Sequence, residues 1–293
     1  MSSLSRLIRV TVAAAATVAV LAPTPGRAAV VVPPPTAGVY VAMGDSYAAG
    51  PLILPLSDPL TCIRSAVNYA GLLAGRLDVR VLRDVTCSSA TTANFAGPQA
   101  GAVLGTAAPQ YSALSADTTL VTVGIGGNDV GLVGLAESCI NILPAPLGAS
   151  CAAKYTAGGV DQYSQRIQAF ASTYGTVIDR IHRLAPHAVV LMIGYPTTIR
   201  AGGCFPLQPI LGPDATYIQA KIDELNAAMA AESAAHGATY VDLRTSSVGH
   251  DACALPGARW IEGLIPLSIA APLHPNELSM QNAANVIYAD LAH

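Results

Sequence analysis

Charge is scarce in this chain: Asp, Glu, Lys and Arg make up 11% of its 293 residues, with a formal sum of -3. Nucleic-acid binding rests on clustered Lys and Arg that neutralise phosphates, so nucleic acid is set aside as a partner. Aromatic residues are only 5%, with Trp260 the single tryptophan, which leaves little of the stacking surface that sugar sites favour. No Cys-x-x-Cys pair and no His-x-x-x-His spacing occurs, which argues against a zinc centre. No apolar run reaches the roughly 20 residues that a membrane-spanning helix needs.

The longest such run, the 13 residues Val10 to Ala22, follows Arg6 and Arg9 and precedes Pro23 to Ala28 with its small Gly26 and Ala28. That is the layout of an export signal, with cleavage expected near Ala28 and no stable membrane anchor. Residues 29–37, with Pro33-Pro34-Pro35, read as a short disordered leader. Residues 38–293 then form one domain, because 52% hydrophobic content feeds a single large core and no repeat or linker is visible. We expect a secreted monomer.

Six cysteines in an exported chain predict disulfides, although six allow fifteen connectivities. Sequential pairing, Cys62–Cys87, Cys139–Cys151 and Cys204–Cys253, closes a moderate local loop each time.

Short β-branched runs alternate with longer helical patterns, as in βαβ units around a parallel sheet. Five strands are expected: Val39–Met43, Val79–Leu82, Leu120–Val123, Val189–Ile193 and Thr239–Val241. Ile167, Phe170, Tyr174, Val177, Ile178 and Ile181 recur at helical spacing and predict one helix over 160–184, stopped by Pro186. A second helix is expected over 214–236, and a last one after Pro275, a residue suited to a first helical turn. Ligands of an open parallel sheet bind at the carboxyl ends of the strands. Ser46, Ser88-Ser89 and Gly126-Gly127-Asn128-Asp129 each follow a strand and so meet on one rim.

A serine hydroxyl needs a base to become a nucleophile at neutral pH, and histidine suits that task. Gly44 lets the chain turn sharply before Ser46, which otherwise reads as a helix cap. The Asn128 amide can face a developing oxyanion, or simply belong to a turn. His182, His187 and His236 lie on or beside helices and His293 is the last residue. His274 alone enters a helix from a loop, with His250, beside Asp251, as the reserve base. The proline-broken apolar stretches Pro51–Leu56 and Leu264–Ile269 flank the chemistry and are expected to line an acyl cleft, or else to pack as satellite core.

Together Gly44-Asp45-Ser46-Tyr47, Ser88–Thr92, Gly126-Gly127-Asn128-Asp129 and His274-Pro275-Asn276 resemble the SGNH (GDSL) hydrolases, particularly secreted actinobacterial lipases and esterases with three disulfides. The resemblance spans nearly all of residues 38–293. It implies a flavodoxin-like three-layer αβα sandwich around a five-stranded parallel sheet, ester hydrolysis through an acyl-enzyme, and no metal or organic cofactor. Carried over, it makes Ser46 the nucleophile and His274 the base, with Ser46, Ser89 and Asn128 forming the oxyanion hole. Two positions depart from the family. Ser89 stands where a glycine is usual, with Ser88 as the other possible donor. Ala271 stands where the acid of Asp-x-x-His is usual, so the backbone carbonyl of Ala271 is expected to orient His274. The resulting expectation is a secreted acyl esterase or lipase. A carbohydrate de-acetylase of the same fold and an inactive lipid-binding protein remain as alternatives.

Overall fold

The computed structural model describes residues 38–292, so the expected export signal and leader lie outside the described residues. Five strands, β1 (Val39–Gly44), β2 (Val81–Asp84), β3 (Thr118–Gly124), β4 (Val189–Ile193) and β5 (Thr239–Val241), pair in the order β2-β1-β3-β4-β5, every pair parallel. This is the strand order of the flavodoxin-like doubly wound sheet, whose switch point lies between β1 and β3. The helices that place the site are α1 (Ser46–Ala49), α2 (Tyr69–Leu77), α3 (Gly127–Val130), α4 (Leu132–Ser138), α5 (Gln162–Phe170), α6 (Ser172–Leu184), α7 (Gly212–Ala235) and α8 (Glu277–Leu291).

Alternation along β1 sorts the two faces of the sheet. Tyr40 and Ala42 join an apolar cluster with Leu73 of α2 and Ile287 of α8, whereas Val39, Val41 and Met43 join the cluster that holds Ile178 and Ile181 of α6. Side chains that point alternately to two covered faces explain why β1 is apolar throughout and wholly buried. Burying each large aliphatic side chain contributes about 2 kcal/mol.

The expected strands all form, with one shifted. Asp78 closes α2 in the left-handed region at φ 48°, and the Val79 N–H turns back to the Ala74 carbonyl at 3.3 Å, so β2 starts at Val81. The long helix expected over 160–184 is two segments, α5 and α6, joined at Ala171. Asp161 caps the first by accepting from the Tyr163 and Ser164 N–H groups. At the other end of the chain Asn276 is the cap of α8, accepting from Ser279 N–H, so Pro275 stands before the helix rather than in its first turn. The cysteines pair 62–87, 139–151 and 204–253.

Candidate active site

Where β1 ends, Gly44 has φ 149°, and a β-carbon there would meet the Gly124 carbonyl oxygen at 2.4 Å. Glycine is therefore required by the closeness of β1 and β3. Gln110 clamps this residue, its Oε1 accepting from Gly44 N–H at 2.8 Å while its amide donates to the Gly44 carbonyl at 3.0 Å. Asp45, not Ser46, caps α1 by accepting from Tyr47 N–H at 2.9 Å. The Ser46 hydroxyl is thereby free, and its Oγ lies 2.8 Å from Nε2 of His274. As the first residue of a helix, Ser46 also presents a backbone N–H with no intrahelical partner.

Asp45 is buried, and its other carboxyl oxygen accepts from the Tyr195 hydroxyl at 2.6 Å. Tyr195 Oη in turn accepts from Gly127 N–H at 2.8 Å, which links the serine turn to the start of α3. Burial pushes the Asp45 carboxyl up to about 7, against the pull of the Tyr195 and Tyr47 donors.

Asn128 donates from its side-chain amide to the Ala90 carbonyl at 2.9 Å, a bond that uses one of the two N–H groups and aims the other. Beside it, Asp129 accepts from both the N–H and the hydroxyl of Thr92. The loop after β2 is thus tied to α3 at two points. Its other end is pinned by the Cys62–Cys87 bridge and by the Ser88 N–H, which donates to the Cys62 carbonyl at 3.1 Å. That bond occupies Ser88, so of the two serines Ser89 keeps its N–H without an acceptor among the described residues. Ser89 has φ 66°, the left-handed conformation that a glycine would adopt at little cost.

His274 reaches the serine from a segment outside the sheet. Its Nδ1 lies 2.7 Å from the carbonyl oxygen of Pro272, and its own N–H points to the Ala271 carbonyl at 3.3 Å. The expected Ala271 carbonyl is therefore replaced by that of Pro272. The cause is Leu273, whose φ of 59° reverses the chain and folds the imidazole back over the residue two before it. Tyr47 holds this turn, donating from its hydroxyl to the Leu273 carbonyl at 2.7 Å while its ring packs 5.2 Å from the imidazole. Burial lowers the His274 pKa below the ordinary 6.5, opposed by the Pro272 carbonyl, so the imidazole is neutral at pH 7.

Beside Ser46 and His274 lies a cavity of about 260 Å³, walled by Leu132, Ile140, Ile210, Ile218, Ile222 and Leu264. These come from α4 and the loop that follows it, from α7 and from the loops preceding α7 and His274. Of the apolar stretches expected to line a cleft, Leu264–Ile269 contributes only Leu264, and Pro51–Leu56 contributes nothing. The reserve histidine, His250, is absent from the cavity walls. Its Nδ1 meets the Ala258 carbonyl at 2.6 Å and its ring stacks on Trp260 at 3.8 Å.

Residues 42–281 match the GDSL-like lipase/acylhydrolase family. The chain belongs to that family. Lipase 2 of Streptomyces coelicolor is 37% identical over 96% of this chain and 95% of that protein. The structure of phospholipase A1 from Streptomyces albidoflavus NA297 superposes with a TM-score of 0.72 at 25% identity, covering 87% of this chain and 99% of the other. That of the extracellular lipase from Streptomyces rimosus gives 0.67 at 26% identity, covering 86% and 99%.

As a GDSL-family protein the chain is a carboxylic ester hydrolase. Within that frame the structure brings Ser46, Asn128, Ser89 and His274 to the carboxyl edge of the sheet. Among the residues that organise them, Asp45, Tyr47, Tyr195 and Pro272 escaped sequence reasoning. Asp45 carried a usable signal, since aspartate directly before a short helix is a preferred cap. Tyr195 lies 150 residues from Asp45 and carries none.

Proposed function

We propose that the protein is a secreted esterase or lipase that hydrolyses esters of acyl chains through a Ser46–His274 dyad. The reading is carried by the 2.8 Å contact between Ser46 Oγ and His274 Nε2 beside an aliphatic cavity. Ser46 Oγ attacks the ester carbonyl while His274 Nε2 takes its proton, and the tetrahedral oxyanion meets the N–H groups of Ser46 and Ser89 and the Asn128 amide. His274 returns the proton to the departing alcohol, leaving an acyl group on Ser46. A water deprotonated by the same nitrogen then attacks the acyl carbonyl, and His274 gives that proton to Ser46 Oγ as the acyl–oxygen bond breaks and the fatty acid leaves.

Nδ1–H donates to Pro272 throughout, which fixes the tautomer that leaves Nε2 free to accept. A carbonyl stabilises the imidazolium less than a carboxylate does, yet it supplies the orienting role of a triad's third member. The acyl chain would lie against Leu132, Ile218 and Ile222. Export is supported by the three disulfides and by the extracellular Streptomyces rimosus lipase among its structural relatives.

The test uses p-nitrophenyl esters from about two to sixteen carbons, with wild type and Ser46→Ala. Turnover peaking at a chain longer than acetyl and abolished in Ser46→Ala is expected. An acetyl optimum would point to a de-acetylase, and no turnover by folded wild type would leave a lipid-binding protein.

A further inference from the structure

Four loops surround the cavity mouth, and hydrogen bonds join them into a continuous rim. The Ala271 N–H donates to the Pro51 carbonyl at 3.1 Å, and the Leu264 N–H to Gln208 Oε1 at 3.0 Å. Asn141 N–H donates to the Pro209 carbonyl at 2.6 Å, beside an antiparallel bridge between Ile140 and Ile210. Ile140, Gln208, Ile210, Leu264 and Pro272 also wall the cavity, so the rim and the acyl site are one surface.

Two properties describe this rim. Its stretches 46–57, 138–153, 201–213 and 263–276 contain not one Asp, Glu, Lys or Arg. They nevertheless present Leu54, Ile142, Leu147, Leu207, Ile265 and Ile269, each between 59% and 84% exposed. So many exposed aliphatic side chains on the loops that also wall one cavity mark an interaction surface. Around the cavity itself the one charged side chain at the surface is Glu137, a carboxylate that repels anionic headgroups.

We propose that this rim docks on electrically neutral lipid surfaces, so that an ester passes from the aggregate into the cavity without crossing water. The inference rests on the acyl-ester reading above. Its chemistry is burial of aliphatic side chains in the acyl boundary, with no share for attraction to anionic lipid. A second copy of the chain is the competing occupant.

The experiment compares wild type with the quadruple variant Ile142→Ser, Leu147→Ser, Ile265→Ser, Ile269→Ser, none of which walls the cavity. Flotation with phosphatidylcholine vesicles is measured in a Ser46→Ala background, and hydrolysis of emulsified triacylglycerol and of soluble p-nitrophenyl acetate with Ser46 intact. Vesicle partition and emulsion hydrolysis should each fall at least about tenfold, while the soluble ester changes by less than about twofold. The soluble ester also reports whether the variant folds and whether the dyad works, which keeps failure of the surface distinct from failure of the chemistry. No flotation of the Ser46→Ala parent, or undiminished flotation of the quadruple variant, overturns the proposal. So does binding that requires phosphatidylglycerol and disappears in high salt. A wild-type dimer, seen by sedimentation, that the substitutions dissociate without affecting flotation assigns the rim to a second copy and overturns it as well.

Discussion

The serine wall and the histidine wall of the cavity are built in different ways. Ser46, Ser89 and Asn128 each follow a strand of the sheet, and their turns are cross-tied by Gln110, by the Asp45–Tyr195–Gly127 chain and by the Thr92–Asp129 pair. His274 has no strand behind it. Its segment is irregular, anchored at one end by buried Glu262, which accepts from Leu267 N–H, the Ser268 hydroxyl and the Asn276 amide. Burial alone would raise the Glu262 carboxyl, but these donors outweigh it and hold the group below its ordinary value. The sheet therefore places the nucleophile and the oxyanion donors, and a buried carboxylate with one tyrosine hydroxyl places the base.

If that contrast is right, the histidine wall is the more sensitive to loss of a single bond. Tyr47→Phe keeps the ring against His274 and removes the bond to the Leu273 carbonyl, worth about 1 kcal/mol. We expect kcat to fall about fivefold with KM little changed, measured on a soluble ester. An equal rise in KM would mean that Tyr47 serves substrate binding instead. On the serine wall the cross-ties already fix the loop, so Ser89→Gly should leave kcat within about twofold. Relief of the left-handed φ at this residue should raise unfolding stability by about 1 kcal/mol in urea titration. Unchanged or lower stability would show that the Ser89 conformation costs nothing here.

The same contrast explains what could be read from the sequence. Apolar β-branched runs fix where strands lie, and the rule that ligands sit at their carboxyl ends then assembles Ser46, Ser89 and Asn128 without a structure. The orientation of His274 hangs on one torsion, a leucine at positive φ, and no residue preference announces that. Ala271 was the expected acceptor because the family places its acid there, whereas Leu273 turns the Pro272 carbonyl inward instead. Cavity walls were illegible for another reason. Ile218 and Ile222 sit in α7, for which the sequence announces only a helix, while the proline-broken stretches that looked like a cleft lining present Leu54, Ile265 and Ile269 to solvent.

In the proposed dyad a neutral His274, oriented by a carbonyl, activates Ser46. The most direct test of that activation is the rate of fluorophosphonate labelling against pH, with the adduct mapped by mass spectrometry, in wild type and His274→Ala. The neutral imidazole is the active form, and burial disfavours its protonation, so labelling should rise with pH through a midpoint below 6.5. A single adduct on Ser46 is expected, with a loss of about a thousandfold in rate in His274→Ala. An adduct on another residue, or labelling that survives His274→Ala undiminished, would rule out the Ser46–His274 dyad.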